Sequence, residues 1–74
     1  MLNEWKYTIE TEQETDGRWI AEILEMSGVL AYGDTKEQAQ ANVKALALRV
    51  IAEEMEEKRS AAVFGFSSIA FSIL

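Results

Sequence analysis

The chain has 74 residues, no cysteine and no histidine, and 13 acidic against 7 basic residues, for a net charge of −6. These counts exclude disulfide staples, the usual zinc ligands, a thiolate nucleophile and a Ser-His pair, and they oppose a surface that grips phosphate backbones. A domain this small buries only about 60% of its unfolded surface, so self-association is the stabilising device that remains and a homo-oligomer is expected.

The opening Met1-Leu2-Asn3-Glu4-Trp5 has no basic region ahead of an apolar run, so no signal peptide is expected. From Trp5 to Glu12 the residues alternate, with Trp5, Tyr7, Ile9 and Thr11 on one face and Lys6, Thr8, Glu10 and Glu12 on the other. Period two predicts a first strand with one buried face. Asp16-Gly17 is a two-residue turn signal, and a second strand follows over Arg18 to Leu24 with Trp19, Ala21 and Ile23 on one side. The two strands should form an antiparallel hairpin with their aromatic faces together. Trp5, Tyr7 and Trp19 read as core and cross-strand packing. A base-stacking platform would interleave basic residues, and only Lys6 and Arg18 lie nearby.

Glu25-Met26-Ser27-Gly28 breaks the second strand, and Val29 to Tyr32 forms a short third one. Whether Val29/Ala31 or Leu30/Tyr32 faces the core is open. Gly33 then turns the chain into Asp34-Thr35-Lys36-Glu37-Gln38, which has the form of a capping box, with Asp34 beside the positive helix end. About 24 residues of good helix formers follow, free of Gly and Pro up to Arg59. At 100° per residue Ala39, Val43, Leu46, Ala47 and Val50 form a core stripe, and Ile51 lies between it and the opposite side. Ala41, Ala45, Leu48, Ala52 and Met55 form a second stripe nearly opposite. It is either an alanine-rich solvated face or a contact with another chain. Glu53, Glu54, Glu56 and Glu57 run past the core as a solvated overhang or an acidic docking surface, and Glu54 can pair with Lys58.

Ser60 to Phe66 leaves the helix through Gly65, and Ser67 to Leu74 alternates again as a fourth strand. A strand after a crossover helix returns parallel to the strand before it, and so can lie beside the first. The predicted fold is α+β, β-β-β-α-β, a mixed four-stranded sheet ordered 3-2-1-4 with one long helix on one face, and residues 1–74 form one domain. The apolar end is shorter than the roughly 20 residues of a membrane span, so a cytoplasmic protein is expected. A metal-dependent nuclease on this topology needs acids on the first strand, the helix and the fourth strand. The fourth carries none, so Glu10 and Glu37 have no third partner and no enzyme, metal or cofactor is expected.

Tyr7, Ile9 and Glu10 on the first strand, Asp16-Gly17, Gly28, Gly33-Asp34-Thr35, Glu37-Gln38-Ala39 and Asn42 follow the order and spacing of the HicB-like antitoxin family, which this chain resembles over nearly its whole length. It departs at Met26-Ser27-Gly28-Val29, where that family often has Pro and Cys. The resemblance implies a partial ribonuclease-H-like domain, the part that in the family neutralises a small, basic, HicA-like RNA-cleaving toxin. Family members usually continue into a DNA-binding domain that these 74 residues do not include, so toxin binding is implied without direct nucleic acid binding. The alternative is a stand-alone oligomeric module without a toxin, its core completed by self-association through the second helix stripe or through the edge of the fourth strand across a two-fold axis. The candidate interface is Ala41, Ala45, Leu48, Ala52 and Met55 with Glu53, Glu56 and Glu57. Asp16, Gly17, Gly28, Gly33, Asp34, Thr35 and Gln38 are expected to be structural.

Overall fold

The computed structural model describes residues 4–58 and 68–74. The elements are β1 (Glu4–Gln13), β2 (Trp19–Ile23), β3 (Leu30–Gly33), α1 (Lys36–Lys58) and β4 (Ser68–Ile73). The sheet order is β3-β2-β1-β4, as the crossover argument predicts. β1 and β2 are antiparallel, with Ile9 opposite Ile23 and Gln13 opposite Trp19. β4 lies parallel to β1, with Trp5 opposite Ile69, Tyr7 opposite Phe71 and Ile9 opposite Ile73. The expected exit from the helix at Arg59, Ser60 and Gly65 lies outside the described residues.

The hairpin loop differs from the expected two-residue turn. The Glu14 N–H donates to the Arg18 carbonyl at 2.7 Å, and the Gly17 N–H donates to the Glu14 carbonyl at 3.0 Å. The loop is therefore Thr15-Asp16-Gly17, a three-residue connection in which Gly17 takes the left-handed position, φ 93°. Asp16 closes it from the side: its carboxylate accepts the Arg18 N–H at 3.0 Å and the Arg18 Nε–H at 2.8 Å. The second loop uses a left-handed glycine too, Gly28 at φ 79°.

Val29 is buried and Ala31 half-buried, whereas Leu30 and Tyr32 are exposed, so the undecided strand turns Val29 and Ala31 toward the helix. The helix start is held as the capping pattern predicts, with one change. Thr35 Oγ1 accepts the Gln38 N–H at 3.0 Å, but the Gln38 side-chain oxygen accepts the Asp34 N–H at 2.6 Å rather than that of Thr35. Asn42, one turn further on, donates from Nδ2 to the Tyr32 carbonyl at 2.8 Å and ties α1 back to β3. At Gly33 a Cβ would fall onto the backbone of Gln38 and Ala39, so the strand end and the first helical turn pass closer than any other residue allows.

The core is Ile9, Ala21, Ile23, Val29, Ala39, Val43 and Ala47, with Tyr7, Trp19, Met26, Ala31, Leu46, Val50 and Phe71 packed around it. Ile51, which the helical spacing leaves between the two stripes, is buried as well, at 4% exposure, and so belongs to the core side. The buried row on α1 is Ala39, Val43, Ala47 and Ile51, spaced by four. An i±4 row is inclined to the helix axis, so a helix crossing the sheet obliquely buries that row and leaves Leu46 and Val50 on its flank. Each fully buried Ile or Val contributes about 1.5–3 kcal/mol. Among the described residues no helix is long and apolar enough to cross a membrane.

Candidate interaction surfaces

Three surfaces are available. The first is the outer face of α1, made of the stripe residues. Ala41, Ala45, Leu48 and Ala52 are exposed and Met55 is half-buried. Leu48, the largest of them, is 47% exposed. Glu53, Glu56 and Glu57 are exposed on the same distal part of the helix. All eight candidate interface residues lie on α1, but only Ala41, Ala45, Leu48, Ala52 and Met55, with Glu56 beside them, share one side; Glu53 is turned away from it, and Glu57 lies on the side of the core stripe, beyond the core.

The second surface is the face of the sheet turned away from the helix. Pairing sets Glu10 opposite Glu22 and Glu22 opposite Leu30, and Glu12 opposite Ile20 and Ile20 opposite Tyr32. Residues directly opposite share a face, so Glu10, Glu12 and Glu22 converge beside Ile20, Leu30 and Tyr32. A shallow hollow of about 160 Å³ opens there, lined by Glu10, Thr11, Glu12, Glu14, Ile20 and Glu22. Like charges directly opposite in an antiparallel pair are destabilising, so this face holds its negative charge at a cost to the fold. At its margins Lys6 approaches Glu4 at 3.5 Å, and the Arg18 guanidinium lies 4.6 Å from the centre of the Tyr32 ring. Sequence reasoning missed this surface because it depends on register: Glu10 and Glu22 become neighbours only through the hairpin. Among the described residues no three acidic side chains form a metal-holding group.

The third surface is the outer edge of β4, with Ile73 at 47% exposure. Its side chains on the helix side continue an aromatic row. Trp5 and Tyr7 meet edge to face at 6.5 Å, and Tyr7 and Phe71 meet at 6.0 Å. Burial, followed by the nearby charges of Glu54 and Glu25, raises the Tyr7 phenol above its usual value and keeps it neutral.

Glu25 does more than end the second strand. Its two carboxylate oxygens accept the Thr8 N–H and the Thr8 hydroxyl, both at 2.7 Å. β2 ends at Ile23, so Thr8 would otherwise have no strand partner for its N–H, and the Glu25 side chain supplies one. These donors hold the Glu25 carboxyl below the ordinary glutamate range, and the Arg18 contacts do the same for Asp16. Asp16 and Gly17 lie in the hairpin loop, Gly28 in the second loop, and Gly33, Asp34, Thr35 and Gln38 at the helix start. Comparison with protein-family models, with curated proteins and with solved structures finds no match.

Proposed function

We propose that this protein is a non-catalytic binding module of the HicB-like antitoxin type, which neutralises a small, basic, RNA-cleaving, HicA-like toxin by covering it. The observation that carries the reading is the acidic open face, where Glu10, Glu12 and Glu22 are gathered beside half-buried Ile20 and exposed Leu30 and Tyr32. A binding face of this kind steers a basic partner by charge and holds it by apolar contact. The β-β-β-α-β order that the resemblance implies supports the same reading, as does the junction where Gly33, Thr35, Gln38 and Asn42 join β3 to α1. Glu53, Glu56 and Glu57 on α1 supply a second acidic band for the same partner, and the reading implies a cytoplasmic protein that does not itself bind nucleic acid. A second reading, a stand-alone oligomeric module without a toxin, is favoured by the exposed apolar residues that remain on α1, Leu48 above all.

The test is inhibition. The tagged protein is used to recover basic proteins from its source cells, the recovered protein is released, and its RNA cleavage is measured with and without added antitoxin-type protein. Stoichiometric inhibition, weakened at least tenfold by a Glu10→Lys, Glu22→Lys double variant, supports the reading. Absence of any recovered ribonuclease, or cleavage unchanged at molar excess, overturns it.

A further inference from the structure

β4 is the last strand of the sheet on its side, and its backbone shows which groups are left open. The Leu74 N–H donates to the Ile9 carbonyl at 2.9 Å, so Leu74 points its backbone groups at β1. Backbone direction alternates along a strand, so Ser68, Ala70 and Ser72 also face β1. Ile69, Phe71 and Ile73 turn their N–H and C=O groups outward, and no described element lies beyond them. An open edge is usually guarded by a charge, a proline, a bulge or extreme shortness. The other edge, β3, has only four residues. β4 has six, Ser68-Ile69-Ala70-Phe71-Ser72-Ile73, without a charge or a proline.

We propose that this edge pairs with the same edge of a second copy, antiparallel across a two-fold axis at Phe71, so that two sheets join into one of eight strands. Three observations select a second copy. First, the register centred on Phe71 pairs Phe71 with Phe71 and Ile69 with Ile73 of the second copy. In an antiparallel ladder each such pair exchanges both hydrogen bonds, so all three outward-facing residues are satisfied at once. Second, the side chains match: the same register sets Phe71 against its own copy and Ile69 against Ile73 on the helix side, and Ala70 against Ser72 on the open side. The Trp5, Tyr7, Phe71 row then runs on through the axis, and Ile73 loses its exposure to water. Third, two chains of net charge −6 repel each other. The acidic open face and the distal helix are poor places for them to meet, whereas β4 is uncharged and Lys44 stands 6.0 Å over the Phe71 ring. The proposal is independent of the toxin reading, and its test involves no second protein.

Sedimentation equilibrium of the full chain should give twice the 8.3 kDa chain mass at high concentration, falling toward one chain on dilution. Ile73→Pro removes an outward N–H and leaves the β1 ladder intact, so it should remain at the single-chain mass with unchanged far-ultraviolet circular dichroism. The chain has no native cysteine, so a second measurement reads the register directly. Ala70→Cys mixed with Ser72→Cys should oxidise to the mixed disulfide in preference to either homodimer, because those two positions are directly opposed. A single-chain mass at every soluble concentration overturns the proposal. So does a folded Ile73→Pro variant that still dimerises, or a cross-link with no preference for the mixed pair. If Ile73→Pro fails to fold, the cross-link decides.

Discussion

Replacing Val43 and Leu48 by alanine, one at a time, separates the two faces of α1. Val43 is fully buried, and the change removes two carbon groups worth about 0.8 kcal/mol each in transfer. The cavity left behind adds about 1 kcal/mol, and the better helix propensity of alanine returns up to about 0.5 kcal/mol. The expected net loss is about 2 kcal/mol, a fall in Tm of roughly 8–16 °C for a domain of this size. Leu48 sits on the same helix but is 47% exposed on the far side, so Leu48→Ala should stay within about 0.5 kcal/mol of the parent. Thermal and urea unfolding, followed by circular dichroism at two protein concentrations, measure both. Equal losses would refute the assignment of the core face. A Leu48→Ala loss that grows with protein concentration would show that another chain covers the outer stripe.

Thr35→Ala removes the acceptor of the Gln38 N–H and should cost about 1 kcal/mol in urea unfolding, with Thr35→Ser restoring most of it. Gly33→Ala places a methyl group on the backbone of Gln38 and Ala39, which cannot swing aside as a side chain would, so a loss of about 1–3 kcal/mol is expected by the same measurement. Glu25 predicts a pH effect. Its folded pKa lies below the ordinary 4.5, so the folded state binds fewer protons than the unfolded state between those two values. The stability it contributes is complete above the ordinary value and is lost as pH falls through the lower one. Glu25→Gln should therefore flatten part of the acid limb of a stability-against-pH curve, with the part due to Asp16 remaining. An unchanged acid limb would argue against the Thr8 clamp.

The elements that could be read from the sequence are those whose signals are local. The alternation from Trp5 to Glu12, the Thr35 cap and the four-residue spacing of Ala39, Val43 and Ala47 each lie within one segment, and each appears in the structure close to its expected limits. The strand order followed because crossover connections allow few alternatives. What stayed hidden depends on pairs that are distant in sequence. Val29 and Leu30 could not be assigned to a face because a four-residue strand carries too little periodicity, and the approach of α1 decides it. The Glu25 clamp on Thr8 needs β2 to stop two residues earlier, at Ile23. The acidic hollow needs Glu10 and Glu22 in register, which the three-residue hairpin loop determines. The exposed stripe of α1 was legible as a stripe, yet a single chain's sequence does not say what lies against it.

The pairing of Glu4 with Ser68 closes a loop of 64 residues, while Gln13 and Trp19, which close the hairpin, are six positions apart (19 − 13). Each doubling of a loop adds about 0.6 kcal/mol of closure entropy, so bringing β4 home costs about 2 kcal/mol more than closing the hairpin. The larger closure cost predicts that β4 docks after the hairpin and helix. Until it docks, the β4 side of β1 stands open, with the aromatic flank of Trp5 and Tyr7 beside it. Pulsed hydrogen exchange during refolding would show this as late protection of the Leu74 amide, and early protection there would contradict it. A nascent copy carries two open edges seeking a strand, one on β1 and the uncharged one on β4, so the crossover that completes the monomer also limits the time in which a neighbouring chain could take its place.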